Sequence, residues 1–322
     1  MSKIFVSGGA GFIGSHICEK LLELDNEVIC FDNLITGSRE NIEHLEENEG
    51  FRFIEGDLRD ESDVRSAIQG CSHVCHQAAL GSVPRSIENP ILTNDINIGG
   101  SLNLLFQSVE NSVERFVYAS SSSVYGDNLE MPKREENTGR PLSPYAVTKS
   151  ALEQYSRVFN DVYEIDTIGL RYFNVFGPRQ SPEGAYAAVI PIFLKFLLEG
   201  KSPVIFGDGE QTRDFTYVKN SVDANVLALF GDVSDAYGKT FNVACGSTFS
   251  INEIFSLIHD SLEEFGAIEG KITPTYGPKR TGDILDSLAN LDNVKQLIGY
   301  SPAISVEEGI RDTVRWFVNN FE

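Results

Sequence analysis

The sequence predicts an α/β protein, a doubly wound parallel sheet with a smaller α+β lobe. Three observations point there. Short β-branched runs alternate with longer helical patterns up to about residue 177, which is the signature of parallel strands joined by crossover helices. Beyond that point the rhythm breaks, and Pro and Gly become frequent. The length of 322 residues gives room for about two domains. We therefore expect a sheet domain over 1–177 and a smaller lobe over 178–322, with an interleaved boundary. The expected strands are KIFVSG (3–8), EVICFDN (27–33), RFIEGDL (52–58), HVCHQAA (73–79), RFVYASS (115–121) and TIGLRYFNVFG (167–177). Between the first two, Ile13, Ile17, Leu21 and Leu24 recur at helical spacing and Asn26 ends the pattern. Helices are also expected at about 94–110 and 144–161, side by side.

Composition narrows the function. Hydrophobic residues make up 41% and charged residues 23%, as in ordinary globular chains. No run reaches the ~18 apolar residues that would span a bilayer. The formal charge of −21 repels phosphate backbones and anionic lipid over most of the surface, so neither nucleic acid nor membrane is expected as a partner. The start, MSKIFVSGG, has too short an apolar stretch for a signal peptide, so a cytoplasmic location is expected. Five cysteines at irregular spacing fit free thiols better than a disulfide framework. Cys71, His73, Cys75 and His76 fall in or just before a buried-strand pattern, and no second ligand cluster follows to complete a tetrahedral metal site, so no metal is expected.

The chemistry-bearing motifs come next. Gly8, Gly11 and Gly14 in GGAGFIGSH follow the first strand and open the first helix, so bare backbone can approach a pyrophosphate at the positive helix end. Asp32 closes the second strand 18 residues beyond Gly14, where a carboxylate accepts from ribose hydroxyls and repels a 2′-phosphate. Strand, helix and acid in register predict a Rossmann-type site for NAD. Asp57, at the end of the third strand, is placed to meet the adenine edge, although a turn residue there would look the same.

A second constellation is Tyr145 and Lys149 in LSPYAVTKSALEQY. Ser143 can cap the helix, Pro144 suits its first position, and i, i+4 spacing puts phenol and ammonium on one face. Lowering a phenol pKa by three units takes about 4 kcal/mol, which a lysine charge in a partly dry cleft, aided by oxidised nicotinamide, can supply. The serine run Ser120 to Ser123 ends the fifth strand, from which a hydroxyl could hydrogen-bond the reacting oxygen and the phenol together.

With these residues in view, the chain resembles the extended short-chain dehydrogenase/reductase family over essentially its whole length. Within it the chain is most similar to UDP-hexose 4-epimerases, and among those to the branch acting on UDP-N-acetylglucosamine and UDP-N-acetylgalactosamine. The segments carrying this are LGSVPRS (80–86), SPYAVTKS (143–150), LRYFNVFGPRQ (170–180), GAYAAVIP (184–191), GDGEQTRDF (207–215) and RTGDILDSLA (280–289). The resemblance implies bound NAD, with Phe12, Ile13, Asn33, Leu58 and Ala78 joining the residues around it. It implies Ser121 as the catalytic serine, with Ser122 and Ser123 close by, Tyr145 as the base, and Lys149 as its helper on the nicotinamide ribose. On the substrate side it implies Asn174, Arg213 and Arg280 on the diphosphate, Asp283 on the uridine ribose and Phe206 over uracil. Val189 belongs to the same substrate set.

In epimerases restricted to plain hexoses, the position matching Ser287 is a bulky tyrosine. Serine leaves room for a 2-acetamido group, and Gly81, Ser82, Gln180 and Ala188 resemble the lining of that space in the N-acetyl branch. Volume alone does not exclude plain UDP-hexoses. Rival chemistries remain. A 4,6-dehydratase would carry Asp-Glu after the strand-end hydroxyl residue, where this chain has Ser122 and Ser123. A uronate epimerase or decarboxylase would use Arg85 on a C6 carboxylate, and a non-catalytic NAD-binding protein would lack Tyr145 or Lys149. The resemblance implies a homodimer through the two long helices, although Ile96, Ile98, Leu102, Leu105 and Leu152 could equally pack on the sheet.

Overall fold

The computed structural model describes residues 1–183, 187–279 and 286–320. In chain order its elements are β1 (Lys3–Ser7), α1 (Phe12–Glu23), β2 (Glu27–Asp32), β3 (Phe51–Glu55), α2 (Glu61–Ala67), β4 (His73–His76), α3 (Val83–Glu88), α4 (Pro90–Asn94), α5 (Ser101–Glu110), β5 (Arg115–Ser121), α6 (Pro144–Tyr163), β6 (Asp166–Tyr172) and β7 (Val175–Phe176). They continue with α7 (Val189–Leu198), β8 (Val204–Phe206), β9 (Thr212–Arg213), β10 (Thr216–Tyr217), α8 (Val218–Phe230), β11 (Lys239–Val243), β12 (Phe249–Ser250), α9 (Ile251–Glu264), β13 (Thr275–Gly277), α10 (Asp292–Leu297) and α11 (Val306–Asn320).

Among the described residues the main sheet has seven strands in the order β11-β6-β5-β4-β1-β2-β3, and each pairing is parallel. Alternation along each strand feeds two separate cores. Ile4 and Val6 of β1, with Val117 and Ala119 of β5, face the layer of α1 and α8. Phe5, Phe116 and Tyr118 face the layer of α2, α5 and α6. A third core, from α7, α9 and α11, fills the smaller lobe.

Three elements differ from the sequence expectation. The run 167–177 is not one strand, because the chain leaves the sheet at Asn174, whose φ of 34° lies outside the extended region, and β7 then pairs with β10. The expected helix at 94–110 is interrupted by a π-turn over Asp95–Gly100. There the Gly100 backbone lies so close to Leu58 that an added Cβ would be 2.9 Å from the leucine Cβ. The seventh sheet strand, β11, comes from the second half of the chain, as does α8, which packs on α1.

Candidate active site

The groove at the C-terminal ends of β1 and β2 is shaped by backbone. The chain turns at Gly8 with φ +68°, and a Cβ there would lie 2.6 Å from the Ala78 nitrogen. A Cβ at Gly14 would lie 2.0 Å from the Gly8 carbonyl oxygen. Only glycine fits either place. The first turn of α1 thus presents unencumbered N–H groups, which favour a phosphate. Asp32 is buried and accepts from the N–H groups of Ala10 (3.0 Å) and Leu34 (2.8 Å). Burial pushes its pKa up while these donors pull it back. A carboxylate so fixed keeps lone pairs for sugar hydroxyls. Asp57 is gripped by the Arg59 fork (2.9 and 2.7 Å) and by Asn33 (3.0 Å), which hold it well below the usual carboxylate range.

Every residue expected to touch the dinucleotide lines one cavity of about 540 Å³, which runs from the glycine loop to Tyr145 and Lys149. The glycine cradle and fixed carboxylate fit NAD. Sequence reasoning missed Ile35 and Thr36 after β2, and Gln77, Ile96 and Tyr172, which line it too. Nothing in their local pattern distinguishes them from packing residues. Asn97 in the π-turn was also missed. It bonds both backbone groups of Leu80 (2.8 and 3.3 Å) and Thr148 (3.1 Å), tying the cavity wall to α6.

Helix α6 begins as its sequence predicts, with Pro144 in its first turn and Ser143 accepting the Ala146 N–H at 3.1 Å. Tyr145 donates its backbone N–H to Ser86 Oγ (3.0 Å), which fixes the helix start against α3. One turn on, Lys149 is buried, donates to the Ala119 carbonyl at 2.8 Å, and holds its ammonium 5.9 Å from the Tyr145 ring centre. Burial pulls the amine down to about 8, and the Glu153 carboxylate counters this. Burial pushes the Tyr145 phenol up, and a hydrogen bond from Ser121 opposes it. Of the three serines, Ser121 is the one whose hydroxyl acts to lower the phenol pKa. Ser122 and Ser123 enter a 3₁₀ turn capped by Ser121 Oγ (3.2 Å to the Ser123 N–H), and Ser123 Oγ is buried with no recorded partner.

The expected sugar-side residues divide. Gly81, Ser82, Arg85, Gln180 and Ala188 line the same cavity. Among the described residues, a Cβ at Gly81 would meet nothing within 4 Å, and Gln180 Oε1 is buried without a hydrogen-bond partner. Ser121, Ser122, Ser123, Asn174, Val189, Phe206, Arg213 and Ser287 are not in its lining. Asn174 donates its side-chain amide to the Asp214 carbonyl (3.0 Å), Arg213 on β9 reaches the Thr212 carbonyl (2.9 Å), and Val189 starts α7. Phe206 ends β8, where it pairs with Gly277. Ser287 donates its N–H to Thr212 (3.2 Å). Arg280 and Asp283 lie outside the described residues. Asp214, which sequence reasoning passed over, joins these segments: its carboxylate accepts N–H bonds from Cys245 (3.0 Å), Gly246 (3.1 Å) and Ala289 (3.1 Å). In the run EQTRDF it reads as one more surface acid.

The profile of the NAD dependent epimerase/dehydratase family matches residues 4–244, and the chain belongs to that family. NAD is its cofactor. A putative UDP-glucose 4-epimerase of Methanocaldococcus jannaschii is 38% identical over 98% of this chain and 99% of its own. The structure of a UDP-N-acetylglucosamine 4-epimerase from Methanobrevibacter ruminantium M1, in complex with UDP-N-acetylmuramic acid, superposes with TM-score 0.92 at 41% identity over 99% of both chains. That of a UDP-glucuronic acid 4-epimerase from Bacillus cereus, with UDP-glucuronic acid and NAD, gives TM-score 0.88 at 31% identity over 99% of this chain and 100% of that one.

Proposed function

We propose that this enzyme is a UDP-sugar 4-epimerase whose preferred pair is UDP-N-acetylglucosamine and UDP-N-acetylgalactosamine. The observation that carries the sugar assignment is the presence of Gly81, Ser82, Ala187 and Ala188 in the lining of the cavity that Tyr145 also lines, with open space at Gly81 among the described residues. Small residues there leave volume for an acetamido group, and the buried Gln180 oxygen can accept its N–H. The similarity to the Methanobrevibacter enzyme supports the same reading.

The residues then act as follows. When bound, NAD supplies the acceptor and donor of the C4 hydride and a positive charge that favours a phenolate. Tyr145 takes the proton of the sugar 4-hydroxyl as C4 is oxidised, and Ser121 donates to the same oxygen. The Lys149 ammonium favours the ionised phenol, against the burial that opposes it. The resulting 4-keto sugar, held by its diphosphate, would turn over in the cavity so that its other face meets Tyr145. Tyr145 then returns the proton as the inverted alcohol forms. Arg213, Asn174 and Arg280 are the groups assigned to the diphosphate, with Asp283 and Phe206 on the uridine. Strong contacts to the nucleotide and few to the hexose allow that rotation.

A second reading, a uronate epimerase, is favoured by Arg85, which lines the cavity and has no recorded side-chain partner among the described residues. Purified protein mixed with UDP-N-acetylgalactosamine, UDP-galactose and UDP-glucuronate in separate tubes, followed by proton NMR, decides between them. The expected result is fastest 4-epimer formation from the acetamido sugar. Turnover of the uronate alone supports Arg85 on a carboxylate, and a 4-keto-6-deoxy product overturns epimerisation.

We further infer a homodimer and a reducing, cytoplasmic setting. The outer face of α6 exposes Val147, Tyr155, Val158 and Val162, beside Ile87, Ile91 and Phe106. Exposed apolar side chains on helices that pack together suit a two-fold four-helix packing. Free cysteines at all five positions fit the compartment.

A further inference from the structure

The end of β5 is tied to α6 by three side chains on one stripe of the helix. Lys149 Nζ donates to the Ala119 carbonyl at 2.8 Å, Ser120 Oγ donates to Glu153 Oε1 at 2.5 Å, and the Ser121 hydroxyl sits where it acts to lower the pKa of the Tyr145 phenol. Positions 145, 149 and 153 follow i, i+4, i+8 spacing, so they share a face and meet three successive residues of the strand. Ala119 offers its carbonyl because its side chain faces the other layer, and Ser120 offers its hydroxyl.

Glu153 is the rung the expected chemistry leaves unused, and it is the most firmly held. Arg171 of β6 forks onto both its oxygens at 2.8 Å, with the two side chains 6% and 13% exposed. Arg171 is fixed in turn by the Tyr125 hydroxyl (3.1 Å) and the Glu135 carbonyl (3.0 Å), and Tyr125 donates to Asn242 on β11 (2.6 Å). A well-packed apolar pair could replace a buried ion pair used for stability alone. Here one ion of the pair bonds the strand residue next to Ser121 and lies one helical turn from Lys149.

We propose that Glu153 is a positioning residue for the base, holding Ser120 and thereby Ser121 at the Tyr145 phenol while its charge keeps Lys149 protonated. The proposal rests on the reading of Tyr145 as the proton acceptor. The charged and titratable groups facing Lys149 are Tyr145 and Glu153 on its own helix, Arg171 behind Glu153 from β6, and His76 from β4. His76 is kept neutral by burial and by the lysine charge.

The test compares NAD-loaded parent, Ser120→Ala and Glu153→Gln proteins in two ways. The first is kcat, KM and the pH profile with whichever UDP-hexose the parent turns over. The second is ultraviolet difference titration of the Tyr145 phenol against Tyr145→Phe, which needs no substrate. In both variants kcat should fall, by up to about 100-fold, with KM unchanged. The phenol should ionise at higher pH than in the parent, and in Glu153→Gln the alkaline limb of kcat should move to lower pH. Ser120→Ala leaves the ion pair intact, so it decides the matter should Glu153→Gln fail to fold. Parent-like kcat and phenol titration in Ser120→Ala overturn the proposal. A parent that turns over no UDP-hexose, with the phenol shift still seen in the variants, overturns the epimerase reading and leaves the positioning role standing.

Discussion

At Lys149 two opposed effects meet on one nitrogen. Removal from water disfavours its charge, and the Glu153 carboxylate favours it, leaving the amine at about 8 rather than 10.5. A base that needs this ammonium works below that value and loses its helper above it. The rate should therefore fall as pH rises through about 8, and a pH–kcat profile flat to pH 10 would show that the lysine charge is not required. Tyr145, Lys149 and the serine run were readable from spacing alone, because helix periodicity places i and i+4 together and Ser-Pro marks the helix start. Glu153 was not, since a Glu one turn further looks like an ordinary solvated residue until Arg171, 18 positions away in β6, is seen to cover it. Which of Ser121, Ser122 and Ser123 ends the strand and which enter the turn was also not legible in the sequence. It depends on where the 3₁₀ turn begins, and a run of identical side chains carries no such signal.

The elements of the first half followed their periodicity, and those that departed from it did so for contacts remote in sequence. The π-turn at Asp95–Gly100 lets Gly100 close on Leu58 and aims Asn97 at Leu80, neither of which a helical repeat announces. In the same helical layer, Leu105 and Leu152 are buried in the core against the sheet, while Ile96 lines the cavity. The face proposed for a partner is the outer one of α6. Val158 lies on it, half exposed. Arginine there would place a charge in the centre of the proposed interface and be harmless on a free surface. Sedimentation should show a dimer for the parent and a monomer for Val158→Arg, and a monomeric parent would remove the dimer.

Over the whole molecule, two buried histidines make stability fall in acid. His16 bonds the Pro178 carbonyl at 3.0 Å, and burial lowers its pKa to about 4. His76 sits between Ser7 Oγ (2.6 Å) and Ser101 Oγ (2.7 Å), lowered to about 3. Both are depressed relative to the unfolded chain, so their contribution is complete above pH 6.5 and is lost as pH falls from there toward 4. For His16 the full swing is about 3 kcal/mol. Asp214, pushed up to about 7 by burial, has the opposite sign, and what it contributes is lost as pH rises from 4 through 7. Comparing His16→Gln with the parent isolates the histidine. The melting temperature of the variant should change less between pH 6.5 and 4, and parallel curves would refute the assignment.

The path of the backbone has an evolutionary corollary. Because β11 and α8 return from the second half to complete the sheet and cover α1, no single crossover point separates the glycine-loop half from the smaller lobe. Recombination between relatives at mid-gene would inherit an edge strand fitted to another neighbour. If the proposed sugar wall is right, new sugar preferences are thus more accessible through point changes in place, at Gly81, Gln180 or Ala188, than through exchange of modules.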